Sequence, residues 1–263
     1  MLNVLKLPND DTRKVVFVAL ALCLVCSLIV STAAVYLRPL QEANKSLDIK
    51  KNILNVAGLM GPGVDVDAVF AENIEVRIVN LDTGEFADDV DAAGFDQRAA
   101  ERDPAQSEAV PKDLDVASIG RRSQYAPVYL LKDGDVTKQV ILPVHGYGLW
   151  STMYGFLALE PDLNTVAGIT FYSHGETPGL GGEIDNPAWQ ANWIGRQAFD
   201  NNGHPVLTVI KGKVDQNSAD AVYQIDGLSG ATLTANGVSN MLQFWLGDQG
   251  FRPFLTRLAE TGV

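Results

Sequence analysis

The residues best suited to chemistry form one run near the C-terminus, from Asp226 to Thr234, which reads DGLSGATLT. The hydroxyl of Thr232 follows three small residues, Ser229, Gly230 and Ala231. A hydroxyl with so little side-chain cover is open both to a bulky group and to an enzyme that attaches one. The run therefore offers Thr232 as a hydroxyl that is accessible to modification. The alternative is a turn that opens a helix, with Thr232 or Thr234 as its cap.

Two glycine-rich loops precede this run, one at 143–150 (PVHGYGLW) and one at 174–182 (HGETPGLGG). Glycines let main-chain N–H groups converge on an anion or a flat ring without obstruction by side chains. Neither loop fits the phosphate-loop or dinucleotide-binding pattern, and each by itself is typical of an ordinary strand connection. We expect His145 and His174 to hydrogen-bond their own loops, so neither is assigned a catalytic role.

An uncharged apolar stretch, Val15 to Leu37, follows a short tail at 1–14. As a helix with a rise of about 1.5 Å per residue it would measure roughly 34 Å, which is enough for a hydrocarbon core of about 30 Å. We therefore expect a single transmembrane helix over 15–37. A cleaved signal peptide is the alternative, but this apolar region is longer than that of a usual signal sequence. Basic residues on both sides of the stretch leave its orientation open.

The composition argues against nucleic acid as a partner. The formal net charge is −12 over 263 residues, and no cluster of Lys and Arg forms a phosphate-binding stripe. The only cysteines, Cys23 and Cys26, lie inside the apolar stretch. Two thiolates are half of a usual four-ligand set, so we expect packing residues there and assign no metal site.

Mixed strand and helix patterns without a regular βαβ alternation predict an α+β domain over 38–263. Segment 85–124 is rich in Asp, Ala and Glu, which predicts an acidic surface insertion without a core element. Pro39 either starts a helix or separates it from the anchor. Apolar periodicity and turn residues predict helices at 38–59, 64–72, 186–199 and 233–246, and strands at 75–81, 125–131, 139–144, 150–160, 165–173 and 204–211.

The run from Asp226 to Thr232 resembles the flavin-transfer motif Asp-x-x-Ser/Thr-Gly-Ala-Thr, and all five defined positions are present. With the anchor and both loops, the chain is similar to the NqrC family, the C-type subunits of the sodium-translocating NADH:quinone oxidoreductase. The related G-type subunits of the Rnf electron-transport complexes share the two later motifs. Their chains are usually shorter and lack a loop that reads GYGLWSTMYGFLALE, so the NqrC family is favoured.

The resemblance implies FMN joined through its phosphate to Thr232. Asp226 would belong to the motif that a magnesium-dependent flavin transferase recognises when it uses FAD. The remaining implied contacts are Ser229, Gly230 and Ala231 beside the phosphate, Thr177, Gly179 and Leu180 at the ring system, Trp150 over the ring, and Lys211 at the polar edge. Lys211 is the weakest match, because Lys213 lies only two residues away. A surface lysine at the end of a strand, without contact to the flavin, is an equally good interpretation of Lys211.

The same resemblance implies an electron-transfer subunit of a respiratory complex in the bacterial inner membrane that oxidises NADH, reduces ubiquinone and pumps Na+. It would pass single electrons from a neighbouring iron–sulfur centre to a flavin in another subunit. A single-pass anchor would leave the flavin domain, 38–263, on the periplasmic side. Two alternatives stay open at this point: the G-type subunit of an Rnf-type ferredoxin:NAD complex, and a membrane-tethered ligand-binding domain without redox activity.

Overall fold

The computed structural model describes residues 7–262, which divide between Asp48 and Ile49 into two compact units. Helix α1 (Thr12–Val56) is continuous and contains Pro39. Pro39 therefore neither starts a helix nor breaks one, contrary to both expectations. A proline removes one main-chain hydrogen bond, and a helix of 45 residues retains the others.

The apolar part of α1 is long enough to cross a membrane, and none of that window is buried within the protein. Its hydroxyl groups are satisfied inside the helix. Ser27 Oγ donates to the carbonyl of Leu24 at 2.9 Å. Thr32 Oγ1 donates to the carbonyl of Leu28 at 2.7 Å. Because these bonds replace water, the hydroxyls are compatible with an apolar surrounding, and the helix fits the expected membrane anchor.

The second unit is a mixed α+β domain, as the sequence predicts. Its remaining helices are α2 (Val66–Asn73), α3 (Gln97–Arg102), α4 (Pro187–Gln190), α5 (Thr232–Leu246) and α6 (Arg252–Thr261). Its strands are β1 (Ile74–Asn80), β2 (Ser107–Ala109), β3 (Arg121–Ser123), β4 (Tyr125–Asp133), β5 (Val136–Tyr147), β6 (Thr152–Leu159), β7 (Val166–Ser173), β8 (Thr208–Val209) and β9 (Gln224–Ile225).

Five of these strands form the main sheet in the order β1-β4-β5-β6-β7, and every neighbouring pair is antiparallel. The strands predicted at 125–131 and 139–144 are confirmed as β4 and β5, which pair as a hairpin, and the next two predicted strands are confirmed as β6 and β7. The predicted helix at 233–246 is confirmed as α5, which ends at Gly247. These elements have strong local patterns, since alternating apolar residues and turn residues mark each boundary.

Helix α5 packs against β5, the middle strand of the sheet, and supplies much of the domain core. Met241 and Trp245 on its buried face are fully inaccessible to solvent. The Trp245 Nε1 group donates to the carbonyl of His145 on β5 at 2.6 Å, so its polar atom is satisfied inside the core. The C-terminal half of α5 is thereby fixed to the sheet, while its first residue, Thr232, is exposed.

Segment 85–124 contributes more to the interior than its composition predicts. It contains α3 and the β2–β3 ladder, and Ala117, 2% exposed, belongs to the main hydrophobic cluster. Arg122 is also buried, because it pairs with Asp82 and donates to the carbonyl of Gln249 at 3.0 Å. A buried charge is tolerated when such partners replace water. The expectation of no core element was wrong, since these partners lie elsewhere in the sequence.

Two other predicted elements are shorter than expected. The helix predicted at 186–199 ends as α4 and one 3-10 turn at Trp193. Beyond that turn the chain joins the sheet region instead, and the amide of Ala198 donates to the carbonyl of Asn164 at 2.9 Å. Of the strand predicted at 204–211, only β8 forms, where two residues run parallel to β9, and Pro205 makes one isolated antiparallel bridge to Phe199. Both differences come from partners distant in sequence, which local patterns do not contain.

Helix α5 approaches the loop after β5 closely enough at Gly237 to leave no room for a side chain. A Cβ at this position would lie 2.6 Å from the carbonyl oxygen of Tyr147 and 3.0 Å from Cα of Gly148. Gly237→Ala should therefore destabilise the protein by about 1–3 kcal/mol, although alanine normally favours a helix by about 1 kcal/mol. Chemical denaturation measures the change. The exposed neighbour Asn236→Ala is the control and should be neutral or stabilising; an equally stable Gly237→Ala protein would contradict the packing.

Candidate functional site

The N-terminus of α5 carries the predicted acceptor. Thr232 is the first residue of the helix, is exposed, and follows an N-cap, Ala231, that provides no side-chain hydrogen bond. The alternative proposed for this run is right in part: a turn does open a helix here, but neither Thr232 nor Thr234 caps it. Gly230 turns the chain into the helix with a φ of 71°. The first N–H groups of an uncapped helix and its dipole favour a negatively charged group at this end.

A buried carboxylate, Glu176, connects α5 to both glycine-rich loops. Glu176 is 4% exposed. Its Oε2 accepts a hydrogen bond from Thr234 Oγ1 at 2.5 Å. Its Oε1 accepts from the main-chain N–H groups of Leu149 at 3.0 Å and Trp150 at 2.9 Å. One side chain thus holds the loop after β5, its own loop and the first turn of α5 in a fixed arrangement.

Small residues are required around this carboxylate. A Cβ on Gly148 would lie 2.5 Å from Glu176 Oε1, and a Cβ on Gly181 would lie 2.5 Å from Thr234 Oγ1. Both distances are too short for any side chain, so the two glycines make room for the hydrogen bonds of Glu176. The glycines of the two loops therefore have a packing role in addition to any contact with a ligand.

The surroundings of Glu176 favour its ionised form. Burial raises the pKa of this carboxyl. Hydrogen bonds from Thr234 and from the main-chain groups of Trp150, Leu149 and Ser151 lower the pKa by a larger amount, so the net pKa lies below its ordinary value. Glu176 is therefore an anion at neutral pH. The carboxylate accepts a hydrogen bond from Thr234, which is itself completely buried.

Exposed apolar side chains lie near the acceptor. Trp150 is 64% exposed and Leu233 is 59% exposed. Leu180 is also exposed, and its Cδ2 lies 3.0 Å from where a Cβ on Gly230 would be. Large apolar groups that remain exposed beside a polar site commonly mark a binding surface. This combination suits a ligand with both a negative group and a flat apolar ring.

The predicted site residues are brought together to different degrees. Trp150 donates its N–H to Glu176, and Leu180 lies close to Gly230 of the 229–232 run. Thr177 and Gly179 are exposed in the same loop as Leu180. Lys211 is exposed in a separate turn that reaches the run only at its beginning, where the N–H of Gly227 donates to the carbonyl of Gly212 at 2.7 Å. Among residues 7–262, no recorded hydrogen bond or ion pair joins Lys211 to the loops around Glu176.

Asp226 has a structural contact in this fold. Its Oδ1 accepts a hydrogen bond from the N–H of Val214 at 2.8 Å, and its carbonyl accepts one from Trp189 Nε1 at 2.8 Å. These bonds fix the start of the 226–232 run against two neighbouring segments. Asp226 therefore has a structural role in fixing the position of the run, in addition to any role in recognition by another protein.

The two histidines differ from each other. His174 bonds its own loop as expected: its Nδ1 accepts from the N–H of Glu176 at 3.1 Å. The expectation for the His145 side chain was wrong, because its Nε2 lies 3.3 Å from Glu101 of α3. Burial, helped by the charge of Arg98, lowers the pKa of His145 to about 3, so it is neutral. Its ring is distant in sequence from that partner, and only the fold reveals the contact.

Sequence reasoning missed Glu176. The signal was present, since an acidic residue stands alone among the glycines of the 174–182 loop. A charged residue in such a loop is usually solvated, however. Its burial depends on three hydrogen-bond donors from 149–150 and 234, which the sequence does not place beside it.

The fold and the site together define a membrane-helix-bearing domain suited to hold a phosphate-containing aromatic cofactor. The exposed Thr232 hydroxyl, the uncapped helix end and the apolar side chains of Trp150 and Leu180 fit FMN. A family model described as an FMN-binding domain matches residues 148–247, a range that includes both the Glu176 loop and α5.

Known proteins agree with this class over almost the whole chain. The C-type subunit of the Na(+)-translocating NADH-quinone reductase from Pseudomonas aeruginosa is 51% identical over 255 residues, which cover 96% of this chain and 98% of that protein. The crystal structure of NqrC from Shewanella oneidensis matches with a TM-score of 0.76 and 36% identity, and covers 82% of this chain and 98% of that one. A crystal structure of the same type of subunit from Parabacteroides distasonis has a TM-score of 0.65 and 28% identity, over 84% and 97% of the two chains. The chain belongs to the NqrC family, the C-type subunits of the Na(+)-translocating NADH-quinone reductase.

The role of Glu176 can be tested with Glu176→Gln. An amide keeps one acceptor oxygen but replaces the other by an uncharged NH2 group, so the charge-assisted hydrogen bonds become neutral ones and the variant should be less stable by about 1–3 kcal/mol at neutral pH. Because the folded pKa is depressed, the contribution of the wild-type carboxylate is present above the unfolded pKa of about 4.3 and is lost as the pH falls through the lower folded pKa.

Urea denaturation at neutral and acidic pH measures this difference. The gap in unfolding free energy between wild type and Glu176→Gln should narrow as the pH falls below about 4.3. The exposed Glu72→Gln protein is the matched control and should unfold like wild type at neutral pH. A gap that stays constant down to acidic pH would show that ionised Glu176 does not hold the site together.

Proposed function

We propose that the chain is an electron-carrying subunit that holds FMN covalently on Thr232, within a respiratory complex that oxidises NADH, reduces ubiquinone and pumps Na+. The observation that carries this proposal is the exposed Thr232 hydroxyl at an uncapped helix N-terminus, inside a complete flavin-transfer motif. Membership of the NqrC family favours the sodium-translocating complex over an Rnf-type complex.

Attachment would break the phosphoanhydride bond between the two halves of FAD and form a phosphate ester with Thr232. The Thr232 oxygen attacks the phosphorus on the FMN side of FAD, the bond to the AMP half breaks, and AMP leaves while the hydroxyl proton passes to a base of the flavin transferase. Thr232 is exposed and followed by an ordered helix, so an external enzyme can reach it. The buried hydroxyl of Thr234, bonded to Glu176, offers no equivalent access.

The chain's own residues would hold and cover the cofactor. The free N–H groups at the start of α5 would bind the phosphate, with Ser229, Gly230 and Ala231 beside it. Trp150 and Leu180 would cover the ring, with Thr177 and Gly179 beside it, and Lys211 would lie near its polar edge. When bound, FMN supplies the one-electron redox chemistry that no side chain of this chain supplies.

Covalent attachment suits a carrier outside the cytoplasm. A flavin held only by contacts would be lost at some rate, whereas a tethered one rebinds at an effective concentration of about millimolar. We infer that α1 anchors the domain in the bacterial inner membrane and that the domain is periplasmic. Electrons would arrive one at a time from a neighbouring iron–sulfur centre and leave to a flavin in another subunit, while NADH oxidation and sodium movement occur elsewhere in the assembly.

Thr232→Val tests the acceptor directly. Expressed together with a flavin transferase, wild type should retain flavin absorption after acid precipitation and washing, and Thr232→Val should lose it. We expect no transfer to Thr234, because that hydroxyl is buried against Glu176. The measurement is the absorption spectrum of the redissolved pellet, followed by mass spectrometry of the 226–234 peptide.

The matched control is Thr234→Val, which removes the neighbouring hydroxyl and should keep its covalent flavin, although the fold loses the hydrogen bond to Glu176. Flavin that persists in Thr232→Val and disappears in Thr234→Val would reassign the acceptor. A wild-type peptide that stays unmodified beside an active transferase would favour the ligand-binding domain without redox activity.

The proposed periplasmic location can be tested with one added thiol. The native cysteines lie only at Cys23 and Cys26, so a Cys23→Ser/Cys26→Ser protein carries no thiol. Lys112→Cys in that background places one on an exposed loop of the domain. A membrane-impermeant maleimide should label it in intact spheroplasts. Labelling only after the cells are broken open would place the domain in the cytoplasm, and the cysteine-free protein controls for other reactions.

A further inference from the structure

A cavity of about 370 Å³ lies between α3, the segment before β3, and strand β6. None of the residues that line it belongs to the proposed flavin site. Its wall combines positive charge, one carboxyl group and apolar surface, and its main lining residues are Arg98, Glu101, Arg102, Ile119, Arg121 and Tyr154. A cavity of this size accommodates a small molecule.

The three arginines of the cavity lack acidic partners. Among residues 7–262, no carboxylate oxygen is recorded within ion-pair distance of Arg98, Arg102 or Arg121. Elsewhere in this acidic domain, several arginines do have such partners: Arg77 Nη2 lies 2.6 Å from Asp88, and Arg257 Nη2 lies 2.8 Å from Glu85. The cavity therefore concentrates positive charge that the protein does not neutralise.

Two of these arginines are held in place by uncharged groups. The Arg98 guanidinium stacks over the Tyr154 ring at 3.3 Å from its centroid, and its buried Nη2 finds no hydrogen-bond acceptor within the described part of the chain. Arg121 donates through Nε and Nη2 to the hydroxyl and carbonyl oxygens of Ser107, at 2.9 and 2.6 Å. Such contacts orient a guanidinium without removing its charge.

The single acid of the cavity, Glu101, does little to offset these charges. Burial raises the pKa of Glu101 to about 7, in spite of a hydrogen bond from Gln97 and the nearby arginines, which lower it. The titratable and charged groups near Glu101 are Asp96, Arg98 and Arg102 on its own helix and its N-cap, Arg121 across the cavity, His145 on β5, Tyr154 on β6 and Tyr172 on β7. His145 is neutral, so the net charge around Glu101 is positive at neutral pH.

We propose that this cavity is a binding site for a small oxyanion, with a phosphate-like or carboxylate group held by Arg98, Arg102 and Arg121. The planar guanidinium group matches the two oxygens of such anions and forms strong charge-assisted hydrogen bonds with them. Tyr154 and Ile119 provide an apolar wall for the rest of the ligand. The concave shape favours a free small molecule over an acidic side chain from a partner.

Binding of sulfate to the purified full-length protein tests the site, because sulfate keeps its charge across the useful pH range. Isothermal titration at constant ionic strength should show one saturable site per chain. Arg102→Ala removes an exposed side chain at the end of α3 and should weaken binding by about tenfold, the loss expected for one charge-assisted hydrogen bond. Arg257→Ala, on another surface, is the matched control and should bind like wild type.

The pH dependence of sulfate affinity distinguishes binding in this cavity from nonspecific electrostatic attraction. Ionised Glu101 would repel the anion, so affinity should fall about tenfold between about pH 6 and about pH 8. Glu101→Gln should remove that dependence and bind at high pH as wild type does at low pH. Absence of saturable binding, or equal binding by wild type and Arg102→Ala, would overturn the proposal. Flavin content is independent of this outcome, since the acceptor Thr232 lies outside the cavity.

Discussion

The arrangement of the site depends on one buried carboxylate. Glu176 is only 4% exposed, and burial of an unpaired charge would be highly unfavourable. The hydroxyl of Thr234 and the main-chain N–H groups of Leu149 and Trp150 provide the bonds that make burial possible. These donors come from the loop after β5 and from the first turn of α5. The loops and the start of α5 are therefore fixed together, and Thr232 takes its place from that fixed turn.

Helix α5 links this network to the core of the domain. Trp245 and Met241 hold its C-terminal half against the sheet, while Thr232 at its first residue is exposed. A reactive residue on a rigid element can be presented without burying its hydroxyl. A carrier needs this combination, because its cofactor must stay in place and still come close to redox partners. The proposed attachment to a helix end, instead of a mobile loop, would meet both needs.

The distribution of charge separates two regions of the domain. The chain has a net charge of −12, and the arginines at positions 77, 122 and 257 are paired with carboxylates. In the α3 cavity, Arg98 and Arg121 are held by tyrosine and serine instead, so their charge stays available. The acidic-looking segment 85–124 thus builds a positive cavity. Its composition alone indicates a negatively charged surface. Most of its carboxylates do face solvent, whereas three of its arginines line the cavity.

The sequence by itself determined the membrane-length helix, strands β4 to β7, helix α5 and the motif at Thr232. Each is encoded in neighbouring residues, through an unbroken apolar stretch, alternation with turn residues, or a run of fixed spacing. Tertiary structure alone decided the burial of Glu176, the contact of His145 with Glu101, the core residues of segment 85–124 and the early end of the helix after Asn186. Each of these depends on a contact with a group far away in the chain. Burial and hydrogen bonding between distant segments override local preference, and only the folded chain brings those partners together.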